Sequence, residues 1–340
     1  MSQIEFVKVK EGDDGIRLDR WFKKYYPQAN HIMVQKLCRK GQIRIGGKRV
    51  KPNDRIEMGQ EIKVPMAIVT AYQVKPDKKK PVKLTDKERA FIKSLVLYED
   101  AHVIAINKPH GLATQGGSKQ KDFIDKYLDA FTNKQGERAK LVHRLDKDTS
   151  GVLLLARSAK AAKKLGDAFK SHDVRKYYWA LTRPAPEMNE GVIKAPLAKG
   201  KGRGGERMMR DDEKGKKAVT YYSVMERMGK RAAWVAFWPR TGRTHQIRVH
   251  AALMHTPILG DFKYGICEFK YGEDLAKWEG EEGAVDEKLH LHARRIIIPH
   301  PFDKRILDIT APLPEHMAKT WRYFNLNAKD KTDPFEMVTD

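Results

Sequence analysis

The sequence feature that most constrains the fold is the run Val152–Ala156 (VLLLA), which contains no polar side chain. Successive side chains of a β-strand point to opposite faces, so a strand that is apolar at every position has to be covered on both faces. This run therefore predicts a central strand of a sheet with packed layers on both sides. Ser158 is predicted to cap a following helix, whose apolar side includes Ala161 and Leu165.

Other strand-like runs lie on either side of this segment. They are Val103–Ile106, Tyr177–Leu181, Val219–Met225, Ala233–Trp238 and Arg295–Pro299. Only one strand–helix–strand unit is evident, which favours a mixed, mostly antiparallel sheet over a doubly wound parallel sheet. We therefore predict an α+β domain over residues 91–325, with helices and loops flanking a central sheet, and a C-terminal tail over residues 326–340.

Residues 1–70 predict a separate, small α/β module of two helices and a hairpin. The second helix is expected over His31–Lys40, with Ile32 or Met33, Lys36 and Leu37 turned inward, and it ends at Gly41. Gly46–Gly47 is a hairpin turn signal. The other apolar positions are Leu18, Trp21, Phe22 and Tyr25 in the first helix, Ile43 and Ile45 in the hairpin, and Ile56, Ile62 and Val64 in a closing strand.

Between the two predicted domains, residues 71–90 are expected to form a linker. Its segment Lys75–Lys87 (KPDKKKPVKLTDK) contains six lysines and two prolines. Almost nothing in it can be buried, so we expect an extended and mobile chain there.

Charge restricts the class of partner. The chain contains 67 Lys and Arg residues against 44 Asp and Glu residues, a net charge of +23. Such an excess of positive charge is self-repulsive unless a polyanion neutralises it, and nucleic acid is the usual one. Residues 1–64 alone carry 15 basic against 8 acidic residues, a net charge of +7. An anionic membrane surface is disfavoured, because no basic helix has a strongly apolar face.

Other bulk features exclude several protein classes. The chain contains no stretch of 18 or more apolar residues, which a membrane-spanning helix would need. The start, MSQIEFVKVKEGDDG, is neither a secretory signal nor a mitochondrial presequence. Only Cys38 and Cys267 occur, which argues against a disulfide framework or a thiolate metal cluster. The sequence therefore predicts a cytoplasmic protein.

Two motifs resemble known ligand loops and fail on closer inspection. Asp146–Gly151 (DKDTSG) begins like a calcium-binding EF-hand loop, but Arg157 stands where a bidentate glutamate is needed. Gly200–Gly205 (GKGRGG) matches a dinucleotide fingerprint, but no apolar strand leads into it. From Lys194 to Lys217 there are nine basic and four acidic residues, which favours a flexible basic loop that touches phosphates.

The histidines are weak candidates for a metal site. His290 and His292 lie two apart on a predicted strand, but zinc needs at least one further protein ligand. His245, His250 and His255 are five apart, which is not the spacing of one helix face. We therefore expect structural or RNA-contacting histidines and no bound metal.

Three segments remain unexplained by folding alone: VHRLDKDTSG (Val142–Gly151), RKYYWAL (Arg175–Leu181) and TGRTHQIRVH (Thr241–His250). In this order they resemble the RluA family of pseudouridine synthases, and in particular its large-subunit ribosomal RNA branch. Supporting pieces are YEDAHVIAINKPHGL (98–112), PILGDFKYG (257–265) and LHARRIIIPHP (291–301). The resemblance covers nearly the whole chain and implies the pseudouridine synthase fold.

The resemblance also implies a reaction. Isomerising uridine to pseudouridine breaks the bond from ribose to a ring nitrogen and rejoins the base through a ring carbon. No redox step occurs, so no cofactor is expected. The matching catalytic carboxylate is Asp146, acting either as nucleophile at the sugar or as base on a neighbouring ribose proton.

Further roles follow from the same resemblance. Arg248 matches the arginine that pairs with the catalytic aspartate, with Arg243 as a reserve candidate. Tyr178 matches the tyrosine that stacks on the uracil and takes the carbon-bound proton, while Tyr177 is expected to pack in the core because adjacent strand residues face opposite ways. Arg144 matches the residue that fills the space left by the flipped base, although plain phosphate binding would explain it equally well.

The N-terminal module resembles the S-four RNA-binding module. The resemblance rests on Arg17-Leu18-Asp19, Gln35-Lys36-Leu37, Arg39, Gly41 and the Gly46-Gly47-Lys48 turn. It implies that Arg17, Lys36, Arg39 and Lys48 bind RNA.

The predicted partner is therefore RNA, most of all 23S ribosomal RNA, bound by a monomer. The acidic segment Glu273–Glu287, with seven acidic residues, is expected to lie away from it. A non-catalytic RNA-binding factor for ribosome assembly is the alternative, and only this factor would tolerate loss of Asp146. A glycosidase is disfavoured, because Asp148 is not placed to form the required carboxylate pair with Asp146.

Overall fold

The computed structural model describes residues 4–71, 84–116, 122–134, 136–171, 173–202, 205–265 and 285–338. The chain divides into two compact units, Met1–Lys83 and Leu84–Asp340. The predictions for most of the lysine-rich linker, for Cys267 and for residues 273–284 of the acidic segment fall outside the described residues.

Within the described residues, no helix is both long enough and apolar enough to cross a membrane.

The first unit is built from four strands and three helices. Its elements are β1 (Ile4–Lys8), α1 (Leu18–Tyr25), α2 (His31–Arg39), β2 (Arg44–Ile45), β3 (Lys48–Arg49), β4 (Glu61–Pro65) and α3 (Met66–Ala71), with a short 3₁₀ helix at Glu11–Asp13. The strands form one antiparallel sheet in the order β1-β4-β2-β3. The two predicted helices and the hairpin are confirmed.

Apolar spacing determines how the helices of this unit pack. Leu18, Trp21 and Phe22 of α1 are buried at the centre of its core. At the start of α2, Met33 packs against this core, whereas Ile32 is 75% exposed. The predicted inward orientation of Lys36 is wrong. Its side chain is exposed, and water solvates its ammonium group there.

The second unit contains the remaining elements. Its helices are α4 (Asp86–Ser94), α5 (Ile124–Tyr127), α6 (Ala159–Lys170), α7 (Gln246–Leu253) and α8 (Glu315–Tyr323), with a 3₁₀ helix at Leu128–Phe131. Its strands are β5 (Val96–Glu99), β6 (Val103–Lys108), β7 (Lys140–Leu141), β8 (Ser150–Ala156), β9 (Arg175–Thr182), β10 (Glu190–Lys194), β11 (Leu197–Gly202), β12 (Gly205–Arg210), β13 (Val219–Met228), β14 (Ala232–Pro239), β15 (Leu291–Pro299) and β16 (Ile306–Thr310).

Ten of these strands form one mixed sheet. Its main path is β10-β13-β14-β9-β15-β8-β6-β5, with β16 paired to β15 and β7 paired to β8. Strands β8 and β15 run parallel, and the other pairs recorded for this sheet are antiparallel. The predicted α+β class with a mixed, mostly antiparallel sheet is therefore confirmed.

Strand β8 is the central strand that the apolar run predicts. All seven of its residues are buried. Leu153 and Leu155 pack on the side of α4 and α5, whereas Val152 and Leu154 pack on the side of α6. Ser158 caps α6 by accepting the backbone N–H of Ala161 at 3.1 Å. Both layers that the sequence requires are present.

A close approach of two backbones explains the glycine that opens this strand. Gly151 has φ +110°, and a Cβ at this position would lie 2.2 Å from the carbonyl oxygen of Ala293. Ala293 is the register partner of Gly151 in the parallel pair β8–β15. Only glycine allows β15 to lie this close to the polar segment that precedes β8.

Three segments differ from their predicted structure. The predicted flexible loop after Lys194 contains the antiparallel hairpin β11–β12, because Leu197 and Met208 bury side chains against α7 and Tyr264. Within the predicted linker, Thr85 and Glu88 form a capping box that starts α4. The C-terminal tail packs on the second unit, with Leu326 and Phe335 buried.

Candidate active site

The polar segment before β8 is held in place along its length. Thr114 Oγ1 donates to the carbonyl of Leu145 at 2.7 Å and accepts its N–H at 3.1 Å. The ring of His143 accepts the N–H of Leu154 through Nε2 at 2.8 Å. Burial lowers the pKa of His143 to about 3, so this ring nitrogen remains an acceptor. The segment is therefore a fixed loop rather than a mobile one.

A buried lysine lies beneath the same loop. The ammonium of Lys108, at the end of β6, donates to the carbonyls of Pro109 (2.8 Å), Leu112 (2.7 Å) and Lys147 (3.0 Å). Burial lowers the pKa of Lys108 to about 7, although the charges of Asp148 and Asp146 act in the opposite direction. The three carbonyls use all three hydrogens of the ammonium group, which links the loop to β6.

Asp146 carries a carboxylate of this loop that is open to solvent. Its side chain is 29% exposed, and Arg144 beside it is fully on the surface. Leu145, between them, is buried against the core of the unit. Burial of the middle residue therefore holds the two flanking charges at the surface.

The two adjacent tyrosines of β9 face opposite sides of the sheet, as predicted. Tyr177 is buried with Trp238 and Phe335, and its hydroxyl donates to Asp333 Oδ2 at 2.8 Å. Tyr178 packs on the other side, against the two clusters that contain Leu145 and Ile247. Burial raises the pKa of Tyr178, and the charge of Asp146 raises it further, so the phenol is protonated at neutral pH.

Arg248 has a different direct partner from the one expected. Its Nε and Nη2 atoms donate to the two carboxylate oxygens of Asp261, both at 2.7 Å. In the described residues, the carboxylate that Arg248 binds directly is therefore Asp261, and its pairing with Asp146 stays a prediction. Asp261 is 1% exposed, and a buried carboxylate needs a cation beside it, which the planar guanidinium supplies in bidentate form.

Arg248 nevertheless lies within the electrostatic reach of Asp146. Burial acts to lower the pKa of Arg248, but the hydrogen bond and charge of Asp261, with a further contribution from Asp146, raise it. The negative charge of Asp146 also acts on Tyr178. The charge of Asp146 thus acts on both Tyr178 and Arg248, the two side chains predicted to work with it.

The sequence analysis did not assign His245 or Tyr264 to the site. His245 lies beside Asp146, and Tyr264 lies beside His245 and Arg248. His245 Nε2 is 3.9 Å from Asp146 Oδ2, and its Nδ1 is 2.7 Å from the hydroxyl of Tyr264. Arg248 lies over the ring of Tyr264, 5.2 Å from its centroid. Asp261 and Tyr264 belong to PILGDFKYG, and Lys108 to YEDAHVIAINKPHGL. These pieces support the family resemblance but carry no signal for individual roles.

Arg243, the reserve candidate, lies outside this group. Its side chain is exposed, and its Nε donates to the carbonyl of Lys217 at 3.0 Å. Its backbone N–H donates to Gln246 Oε1 at 3.0 Å, and the buried Gln246 donates through Nε2 to the carbonyl of Val219 at 2.9 Å. The TGRTHQ segment is thus a turn that positions α7.

His290 and His292, the pair considered for a metal site, make structural hydrogen bonds. His290 and His292 are fully buried, and the ring of His292 lies 2.8 Å from Ser150 Oγ and 3.3 Å from the carbonyl of Ala311. Burial lowers the pKa of both rings to about 3. No group of three or more His, Cys, Asp or Glu side chains in the described ranges is arranged to hold a metal ion.

In the first unit, the predicted RNA-binding residues are at its surface. Lys36, Arg39 and Lys48 are exposed, whereas Arg17 is paired with Asp19, with Nε 3.1 Å from Oδ1. All four lie on α1, α2 or the hairpin, or directly beside them. Their exposure leaves their charges accessible to a polyanion.

Comparison with known proteins identifies the family. The model of the RNA pseudouridylate synthase family matches residues 102–253, which include Asp146, Tyr178 and Arg248. The ribosomal large subunit pseudouridine synthase C of Rickettsia typhi is 36% identical over 306 residues, covering 89% of this chain and 95% of the relative. The enzyme of that name from Escherichia coli K12 is 33% identical over 319 residues, covering 93% and 95%.

A solved structure shows the same fold. Human RNA pseudouridylate synthase domain containing 4 superposes with a TM-score of 0.57 at 28% identity, over 72% of this chain and 99% of the human chain. The likeness in sequence extends well beyond the loop, the strand and the helix that carry the candidate site. The chain therefore belongs to the RluA family of RNA pseudouridylate synthases, which are isomerases that act on RNA.

Proposed function

We propose that this chain isomerises particular uridines of large-subunit ribosomal RNA to pseudouridine, with Asp146 as the catalytic carboxylate. The observation that carries the proposal is the arrangement around Asp146, whose partly exposed side chain is accompanied by Tyr178, Arg248 and His245. The choice of ribosomal RNA rests on relatives named as large-subunit enzymes. A monomer that works in the cytoplasm without a nucleotide cofactor completes the proposal.

The reaction needs few groups because it gains and loses no atoms. The bond from ribose C1′ to uracil N1 breaks, the base rotates, and C1′ bonds to C5, which loses its proton while N1 gains one. Asp146 supplies the negative oxygen that either attacks C1′ or removes a ribose proton. The base has to leave its stack first, at a cost of a few kcal/mol.

Arg248 acts on Asp146 through its field rather than through a hydrogen bond. Its guanidinium is fixed by two bonds to Asp261, so the pair cannot reorient during the reaction. A fixed cation favours the charged form of a nearby carboxylate and stabilises negative charge that develops at the sugar or on the detached uracil.

The raised pKa of Tyr178 restricts the part it can play. As a neutral phenol, it offers an aromatic face to the freed uracil and an O–H donor to a developing oxyanion. Removal of the C5 proton by its oxygen requires its own proton to pass to another base at the same time. Asp146, whose charge already acts on Tyr178, is the suitable acceptor.

The RNA is held by cations that lie away from the chemistry. Arg144 sits two residues before Asp146 at the surface, where a guanidinium can fill the space left by the flipped base. Arg243 and the surface residues Arg17, Lys36, Arg39 and Lys48 would contact phosphates. The first unit would then serve as the RNA-binding module that its resemblance to the S-four family implies.

The decisive experiment is a map of pseudouridine in ribosomal RNA from cells that lack this protein. Reintroducing the native chain should restore particular large-subunit positions, and Asp146→Asn should restore none. Asp212→Asn, an exposed aspartate in the turn after β12, is the matched control and should restore all of them. Restoration of the same sites by Asp146→Asn would show that the carboxylate is dispensable, as in a ribosome assembly factor.

A further inference from the structure

His245 occupies a backbone conformation that asks for an explanation. It precedes α7 as its N-cap, at φ 53° and ψ 20°, in the left-handed region. This region is unfavourable for a residue other than glycine. The side chain makes no capping hydrogen bond to α7. The conformation instead directs the imidazole towards Asp146 on one side and Tyr264 on the other.

Tyr264 determines which ring nitrogen of His245 carries the proton. The hydroxyl oxygen of Tyr264 accepts the backbone N–H of Met208 at 3.1 Å and lies 2.7 Å from His245 Nδ1. We assign the hydroxyl hydrogen to Nδ1, because the oxygen already accepts from Met208 and Nδ1 lies within hydrogen-bond distance. Nδ1 therefore accepts, and a neutral ring carries its hydrogen on Nε2.

The titration behaviour of the pair agrees with this assignment. Burial raises the pKa of Tyr264, which keeps the donating hydroxyl protonated. Burial also lowers the pKa of His245 and outweighs the opposite effect of Asp146, which keeps the ring neutral near pH 7. The hydrogen on Nε2 then faces Asp146 Oδ2 across 3.9 Å.

No other cationic side chain is as close to Asp146. Within the described ranges, His245 is the only Lys, Arg or His residue with a nitrogen within 4.0 Å of its carboxylate. Arg248 commits its Nε and Nη2 to Asp261. Lys108 commits its ammonium to three carbonyls beneath the loop. Of the cationic side chains in the described ranges, His245 is therefore the candidate for orienting this carboxylate.

We propose that His245, locked by Tyr264 as the tautomer with hydrogen on Nε2, is a positioning residue that orients the Asp146 carboxylate for its reaction at the sugar. This inference rests on the proposed role of Asp146. The distance of 3.9 Å is longer than a hydrogen bond, and a small rotation of the carboxylate closes it when RNA excludes water from the site. Oδ2 is then held by His245, and the other oxygen is directed at the sugar.

Two conservative variants separate this role from a merely structural one. The amide of His245→Gln reaches the position of Nε2 and can still donate to Asp146. The amide of His245→Asn reaches only the position of Nδ1, so it keeps a partner for Tyr264 and loses the donor to Asp146. Single-turnover rates on a synthetic RNA that contains the target uridine, together with RNA affinity and melting temperature, are measured for both.

We expect His245→Asn to lower the rate about 10- to 100-fold, with RNA affinity and melting temperature unchanged, while His245→Gln keeps at least about a third of the rate. Tyr264→Phe removes the hydroxyl that holds His245 in this tautomer, and it should lower the single-turnover rate about fivefold to tenfold. Equal rates for the Asn and Gln variants, whether high or low, would overturn the proposal.

Asp146→Asn is assayed in parallel. An active Asp146→Asn variant refutes the proposed function itself. An inactive one beside a fully active His245→Asn variant refutes only the role of His245.

Discussion

The larger unit holds several charged groups, among them Lys108 and Arg248, buried against fixed partners, whereas candidate RNA-binding residues of the smaller unit are exposed. In the larger unit, Lys108 donates to three carbonyls, and Arg248 binds both oxygens of Asp261. In the smaller unit, Lys36, Arg39 and Lys48 are exposed.

Because of this difference, we expect the two units to respond differently to amino-acid substitutions. A buried polar group loses its whole environment when one partner is removed, so single substitutions there have large effects that do not add. Exposed cations act on RNA through long-range attraction, so each contributes a small and nearly equal part.

Gly151→Ala should strongly destabilise the larger unit. The added methyl would meet the Ala293 carbonyl at 2.2 Å, and φ +110° is open only to glycine, so we expect a loss of about 3 kcal/mol or more in the free energy of unfolding. Urea denaturation measures it. Gly166→Ala is the control, because nothing lies within 4 Å of its Cβ position in α6, and it should be neutral or slightly stabilising. Equal stability of the two variants would contradict the tight pairing of β8 with β15.

Tyr178→Phe should reduce the single-turnover rate about 100-fold, because it removes the hydroxyl beside Asp146. Its neighbour gives a matched control. Tyr177→Phe removes the hydrogen bond to Asp333 and should cost about 1 kcal/mol of stability without slowing the reaction. A reversed pattern, with Tyr177 needed for the rate, would place the site on the opposite face of the sheet.

Acid should destabilise the larger unit through its buried neutral histidines. The pKa of His292 is lowered to about 3 in the folded protein by burial, against an ordinary value of about 6.5. The unfolded chain therefore binds more protons between these values, and stability falls as the pH is lowered through this window. His292→Asn should reduce the slope of unfolding free energy against pH by up to about 1.4 kcal/mol per unit.

Urea titrations at several pH values measure this slope. His31→Asn, at an exposed position of α2 in the smaller unit, is the matched control for replacing a histidine with asparagine. A slope that is the same in both variants would show that the His292 ring is protonated in the folded protein.

The smallest effect per residue is expected at the surface of the first unit. Changing Lys36, Arg39 and Lys48 together to glutamine should lower the slope of log affinity against log salt by about 2, with the rate at saturating RNA unchanged. Filter binding at several salt concentrations measures it. The same change at Lys160, Lys163 and Lys170, which are exposed on α6, is the control for net charge. Equal slopes for the two triple variants would remove the first unit from the RNA-binding surface.

Much of the fold was predictable because its signals are local. The apolar run of β8, the Ser158 cap and the helical spacing of Leu18, Trp21 and Phe22 each depend on neighbours in sequence, and each is confirmed. The hairpin β11–β12 was missed because its glycines and lysines resemble a loop. It is a hairpin because Leu197 and Met208 find a surface on α7 and Tyr264 that the sequence pattern does not reveal.

The candidate site divides in the same way. The family motifs identify Asp146, Tyr178 and Arg248 as belonging together, and the alternation of a strand is enough to separate Tyr178 from Tyr177. The partner of Arg248 could not be read from the motifs, because several carboxylates were available to it. Burial decided in favour of Asp261, which needs a cation to offset its lost hydration.

The family, the central strand and the candidate catalytic residues could be predicted from the sequence, because periodicity and short motifs are properties of neighbouring residues. The contact of Lys108 with the loop of Asp146 and the contact of Tyr264 with His245 became apparent only in the tertiary structure. These contacts join segments that are distant in the chain. Their geometry depends on how the sheet and α7 pack, which no local pattern specifies.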